Sequence, residues 1–195
     1  MSANPVPFIT AAEYLERERA AEFRSEYVNG EVFAMSGGLL THAQLGLNFG
    51  RELADALEDG PCIVTVADMR LQIPEEHVYV YPDLMVICDK PAYADGCRDM
   101  ITNPSVVVEV LSESTERWDR GGKFAQYRRI GSLREYVLVS QSEMRVEWFT
   151  RGNDGEWRYR EAVGADGVCR LDELGVNLTL RRIYRKVDGI ENVRR

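Results

Sequence analysis

The segment Ser105-Val106-Val107-Val108-Glu109-Val110-Leu111 constrains this chain more than any other. A short, unbroken apolar run of this kind reads as a strand covered on both faces. The chain must therefore build a sheet with packed material above and below it. Its 195 residues are 45% hydrophobic and 29% charged, which is enough apolar mass for such a layered core. The same run carries one carboxylate. A lone carboxylate in an apolar strand is costly, or its pKa rises, unless a cation compensates it. Glu109 therefore needs a partner, either one of the many arginines or a bound cation.

The rest of the chain supplies the layers. Thr10 with Glu13 has capping-box spacing and predicts a helix over about 11–22. Asn29-Gly30 between two β-prone runs predicts a hairpin. A second helix is expected from Thr41 to about residue 58, with Ala43, Leu47, Ala54 and Leu57 as its apolar face and Asp59-Gly60-Pro61 as its stop. From Cys62 the pattern turns to strands: CIVTVADMRLQI, a polar turn at 74–77, then VYVYPDLMVICD. After the strand containing Glu109 come a helix at about 117–130, two strands joined around Gln141-Ser142, a strand over 156–162, and a last helix over 178–187. The order gives a mixed α+β fold with one central sheet, in a single domain over 1–195.

Several classes are excluded at this level. No run approaches the roughly 18 apolar residues of a membrane-spanning helix. The N-terminal MSANPVPFITAAEYLERE lacks the basic-then-apolar pattern of a signal peptide, so a cytoplasmic protein with no membrane partner is expected. The cysteines (Cys62, Cys88, Cys97, Cys169) form no CxxC pair and read as reduced thiols, with Cys62 and Cys88 buried in strands. Two histidines are too few for a histidine-rich centre. Any metal must be held by carboxylates, which selects a hard cation such as magnesium or manganese.

A net charge of −8 argues against non-specific coating of nucleic acid, yet the charge is unevenly spread. Residues 1–110 hold 7 Lys/Arg against 18 Asp/Glu, and 111–195 hold 17 against 14. Basic residues gather at 116–134, where Arg117, Arg120 and Arg128 are placed to touch a phosphate backbone, or else to form a solvated helix face.

Two further residues join Glu109. Asp83, in Tyr81-Pro82-Asp83-Leu84, opens an apolar strand; Pro-Asp is common in turns, but strands lie about 4.8 Å apart, so carboxylates on adjacent strands can share one divalent ion. Lys123 follows Gly121-Gly122 and is one of only three lysines among 24 basic residues. A compact ammonium can hold a water beside a phosphate, where a forked guanidinium does so less well. It can equally form an i,i+4 pair with Asp119. No GxxxxGK[ST] phosphate loop is present.

Pro82-Asp83, Glu109-Val110-Leu111 and Lys123 within DRGGKFAQY together resemble the PD-(D/E)XK nuclease superfamily, and more closely the Uma-two family of restriction-endonuclease-like proteins. The resemblance covers roughly 8–185. It runs through NGEVFAMSGG and THAQL, YVYPDLMVIC, the long block from Pro104 to Ser140, and LTLRRIY. It implies a restriction-endonuclease-like fold, a central mixed β-sheet flanked by helices with its core at about 8–185, in which Asp83, Glu109 and the backbone carbonyl of Val110 bind Mg2+ (or Mn2+). Leu111 stands where the superfamily pattern has lysine, and Lys123 is similar to a relocated replacement. Glu31 and His42 match family positions near the site, Glu31 as an additional ligand to metal or water and His42 as a hydrogen-bonding residue. Tyr127, one turn after Lys123, is expected to pack in the core.

The implied activity is a metal-dependent endonuclease hydrolysing phosphodiesters, DNA favoured, leaving a 5′-phosphate. A homodimer is compatible with cutting two strands. Two rival readings are a nuclease-like module that only binds or regulates, and a small-molecule phosphodiesterase.

Overall fold

The computed structural model describes residues 8–35, 37–73 and 77–190. Helix α1 (Ala11–Ala20) starts with the expected capping box: the Thr10 hydroxyl accepts from Glu13 N and the Glu13 carboxylate accepts from Thr10 N. Strands β1 (Ser25–Val28) and β2 (Glu31–Ala34) form the hairpin. Its turn residues Asn29 and Gly30 have φ of 50° and 99°, the left-handed pair that a two-residue turn of this type demands. Helix α2 (Leu40–Ala56) follows. The strands are then β3 (Ile63–Val66), β4 (Arg70–Ile73), β5 (Val78–Val80), β6 (Leu84–Ile87), β7 (Met100–Ile101) and β8 (Val106–Val110). A π-helical segment, Trp118–Lys123, runs into α3 (Phe124–Tyr127). The chain continues through β9 (Glu135–Val139), β10 (Arg145–Arg151), β11 (Trp157–Val163), β12 (Val168–Leu171), β13 (Val176–Thr179) and α4 (Leu180–Ile183). Most of the turn expected at 74–77 lies outside the described residues.

The α+β class with a mixed sheet holds, but the strands divide. One sheet runs β11-β10-β9-β8-β6-β3, a second β2-β1-β5-β4-β7, and β12-β13 pair separately. Both long strand segments of the sequence are cut in two, β3 and β6 joining the first sheet and β4 and β5 the second. The first sheet is mixed because β8 and β9 are parallel while its other pairs are antiparallel.

β8 is covered on both faces, as its composition requires. Val106, Val108 and Val110 pack against Leu45, Phe49 and Leu53 of α2 and against Leu178, Leu180 and Ile183. Val107 and Leu111 face the other layer, with Leu71, Ile73, Val80, Tyr127 and Ile130. Glu109 shares the parity of Val107 and Leu111, so it points into this second layer.

Four expectations are corrected. In α2 the buried apolar residues are Leu45, Phe49 and Leu53, with Leu57 just beyond, while Ala43, Leu47 and Ala54 are exposed. Both sets recur at helical spacing, and only the sheet decides which one is covered. Cys62 and Cys88 are disulfide-bonded and half-buried, not buried free thiols. They flank β3 and β6, whose register pairs Ile63 with Ile87, so the next residues face each other directly. The last helix is a single turn, because Val176–Thr179 pairs with β12 instead. The helix after β8 is irregular at its start and wound as a π-helix.

That widened turn has a visible steric element. The Trp118 ring lies over Gly122, where a Cβ would fall 1.8 Å from two ring carbons. Gly122→Ala is therefore expected to destabilise the protein by roughly 1–3 kcal/mol through overpacking. A thermal melt should show a midpoint several degrees lower.

Candidate active site

β6 and β8 set two carboxylates side by side. Their antiparallel register pairs Leu84 with Val108, which brings Asp83 opposite Glu109. Asp83 sits just before β6 and is held from two sides: its Oδ2 accepts the Val110 N–H at 2.7 Å, and its Oδ1 lies 2.9 Å from His42 Nε2. The other imidazole nitrogen, Nδ1, is 3.2 Å from Gln141 Nε2. With the neutral ring, Gln141 donates to Nδ1 and Nε2–H donates to Asp83. The hydrogen bond to Asp83 raises the His42 pKa above its ordinary value against the opposing effect of burial.

Glu109 lies deeper, at 3% exposure. Its Oε1 accepts from Lys123 Nζ at 3.1 Å and from the Tyr127 hydroxyl at 2.6 Å. Burial holds Tyr127 protonated well above its usual pKa, which keeps its hydroxyl proton available for this hydrogen bond. The Lys123 ammonium also meets Glu26 Oε1 at 3.0 Å and Asp119 Oδ1 at 3.5 Å. All four groups are buried. Glu26 Oε1 takes a further hydrogen bond from Tyr81 N, whose hydroxyl donates to the buried Glu18.

The charges in this pocket do not balance. One ammonium serves Glu26, Glu109 and Asp119, with Asp83 close enough to add to the repulsion. Burial, reinforced by Asp83, Asp119 and Glu26, pushes Glu109 up to about 8 against the pull of Lys123. Asp119 is raised for the same leading reason, and its buried Oδ1 has no hydrogen-bond partner. For Lys123, burial disfavours the charge, but Glu109, Glu26 and Asp119 outweigh it and hold the amine charged.

An excess of buried negative charge around a single ammonium is what a hard divalent cation would relieve. Magnesium needs only one or two protein carboxylates, the rest of its shell being water and phosphate oxygen. Asp83 and Glu109 fit that requirement. Among the described residues no three Asp, Glu, His or Cys side chains form a closed ligand cage, since the inner carboxylates converge on the Lys123 ammonium.

The other sequence candidates are placed as follows. Glu31 is exposed on β2, on the same face of the hairpin as Phe33. Tyr127 is in the core, as expected, and also grips Glu109. Arg117 is exposed at the start of the π-helical segment, and Arg128 is exposed at the end of α3. Arg120 is taken up by Glu116 and Glu147. Asp119 and Lys123 do pair at i,i+4, but in a buried cluster rather than on a solvated face. Glu26 was invisible in the sequence, because a glutamate in a four-residue hairpin strand looks like ordinary surface. Asp119 carried a signal, its spacing from Lys123.

Residues 11–181 match the family model described as "Uma2: Putative restriction endonuclease". The chain belongs to the Uma2 family. Two Synechocystis sp. relatives are similar over most of their length. "Uncharacterized protein sll1609" is 40% identical over 156 residues, 80% of this chain and 88% of the relative. "Uncharacterized protein slr1290" is 33% identical over 181 residues, 93% and 94%. The fold is similar to the crystal structure of "a putative nuclease belonging to DUF820" from Anabaena variabilis, with a TM-score of 0.74 and 14% identity, covering 90% of this chain and 97% of that one. The Uma2 chain described here thus has a nuclease-like fold, and no helix among its described residues is long and apolar enough to cross a membrane.

Two outcomes test the geometry. Lys123→Met leaves Glu26, Glu109 and Asp119 buried without a counter-charge and should destabilise by roughly 3–5 kcal/mol. Glu109→Gln relieves the repulsion and should cost far less; urea melts of both variants make the comparison. In metal-free protein, an NMR titration should place the His42 pKa above 6.5, and Asp83→Asn should lower it.

Proposed function

We propose that this Uma2 protein is a metal-dependent endonuclease that hydrolyses nucleic-acid phosphodiester bonds, with DNA as the favoured substrate and Mg2+ (or Mn2+) as cofactor. The observation that carries the reading is the pairing of Asp83 and Glu109 across adjacent strands with Lys123 on the Glu109 carboxylate. Asp83, Glu109 and the Val110 carbonyl would hold the ion, with Glu31 as an additional ligand to metal or water. When bound, the ion lowers the pKa of a coordinated water and neutralises charge developing on the phosphate.

The protein's own groups do the rest. His42 and the Val110 N–H fix both oxygens of Asp83. Tyr127 and Lys123 fix Glu109. Lys123 would turn one N–H from its carboxylate partners to the attacking water and face the negative charge that builds as the new P–O bond forms. The bond to the 3′ oxygen breaks, leaving a 5′-phosphate and a 3′-hydroxyl. Arg117 and Arg128 would contact the phosphate backbone without reading bases. Arg120 would join them only by exchanging its carboxylate partners. A cytoplasmic setting goes with such a substrate. Cutting both strands would suit a homodimer.

One observation favours a second reading, a nuclease-like module that binds without cutting. The Lys123 ammonium already has three carboxylate partners.

The test combines calorimetry of Mg2+ and Mn2+ with cleavage of plasmid and oligonucleotide substrates. The wild type is expected to cut with either ion, and Asp83→Ala to lose metal binding and at least a hundredfold in cleavage rate. Equal cleavage by the variant overturns the site. Nucleic-acid binding without cleavage by the wild type favours the second reading.

A further inference from the structure

Phe33 is the register partner of Glu26 across the β1–β2 hairpin. Residues directly opposite in an antiparallel pair project from the same face. The Glu26 side chain reaches Lys123, so Phe33 stands on the site's side of the hairpin. Phe33 is 46% exposed. The Trp118 ring stacks against it, with centroids 6.3 Å apart and planes inclined by 25°. Trp118 in turn immediately precedes Asp119, whose carboxylate meets Lys123, and the absence of a side chain at Gly122 makes room for its indole. Two aromatic rings, carried by two separate elements, thus meet beside the buried carboxylates. Neither is needed to fill a core. Next to them Arg117 is exposed and has no ion-pair partner among the described residues.

An exposed aromatic face beside a phosphate-directed site matches the flat faces of nucleobases, which stack on aromatic side chains irrespective of sequence. In an intact duplex those faces are covered by neighbouring bases. Only an unpaired or splayed-out nucleotide offers one. We propose that the Phe33–Trp118 pair is a stacking platform for an unpaired nucleobase next to the scissile phosphate, with Arg117 on the adjoining backbone, so that the site takes single-stranded nucleic acid in preference to duplex. The proposal rests on the nuclease reading above and adds the form of the substrate.

Fluorescence anisotropy of a labelled 12-nucleotide DNA strand and of its duplex, with Ca2+ in place of Mg2+, tests it. The wild type should bind the single strand more tightly. Phe33→Leu keeps apolar bulk but removes the ring, and Trp118→Leu does the same. Each should weaken single-strand binding by roughly 5- to 150-fold, while Phe33→Tyr retains it. A strand of abasic nucleotides should bind the wild type and Phe33→Leu equally. Because Phe33 is half-exposed, its variants should melt with the wild type; Trp118→Leu is read only if it does so too. Unchanged single-strand affinity in Phe33→Leu, or tighter duplex binding by the wild type, overturns the platform and leaves the nuclease reading standing if Asp83→Ala still abolishes cleavage. Binding of neither nucleic acid by the wild type overturns both.

Discussion

The ammonium of Lys123, enclosed by Glu26, Glu109 and Asp119, is the interaction on which the site depends. It ties together three elements: the π-helical segment that carries Lys123 and Asp119, the central strand β8, and the hairpin strand β1 of the second sheet. The linkage continues through the Tyr81 N–H on Glu26 and the Tyr81 hydroxyl on Glu18, reaching α1. Each carboxylate in the chain would be costly alone. Together with one cation they are tolerated, but the count stays in favour of negative charge.

That imbalance gives the arrangement its chemical meaning. A core built for stability alone would match charges or replace them with apolar groups of similar volume. Here the excess falls on Glu109 and Asp119, the groups that burial already disfavours as anions. Functional sites commonly hold groups that the fold would otherwise exclude. The His42–Asp83 pair closes the rim, more exposed than the Glu109–Lys123 layer beneath it.

The fold explains why these groups meet. Period-two alternation along β8 sends Val106, Val108 and Val110 toward α2 and Glu109 toward Tyr127. The π-helical turn that begins beside Trp118 and contains Gly121 and Gly122 brings Asp119 and Lys123 to the same pocket. The aromatic pair of Phe33 and Trp118 follows from the same two placements, one residue along the helix and one strand across the hairpin.

Much of this was legible in the order of residues. The capping box of α1, the Asn29-Gly30 hairpin, the doubly covered strand β8 and the need of Glu109 for a cation all follow from local rules, because backbone preference and the cost of burying charge act at the level of a few residues. Asp83 and Lys123 were legible only as candidates. What the tertiary structure alone decided depends on which surfaces meet. It chose Leu45, Phe49 and Leu53 over Ala43, Leu47 and Ala54 as the covered face of α2, since both sets share a helical period. It divided the strands between two sheets and set Cys62 opposite Cys88, because register is fixed by long-range pairing. It also recruited Glu26, which is buried against Lys123 of the π-helical segment and the Tyr81 N–H, contacts that leave no mark on its own four-residue strand.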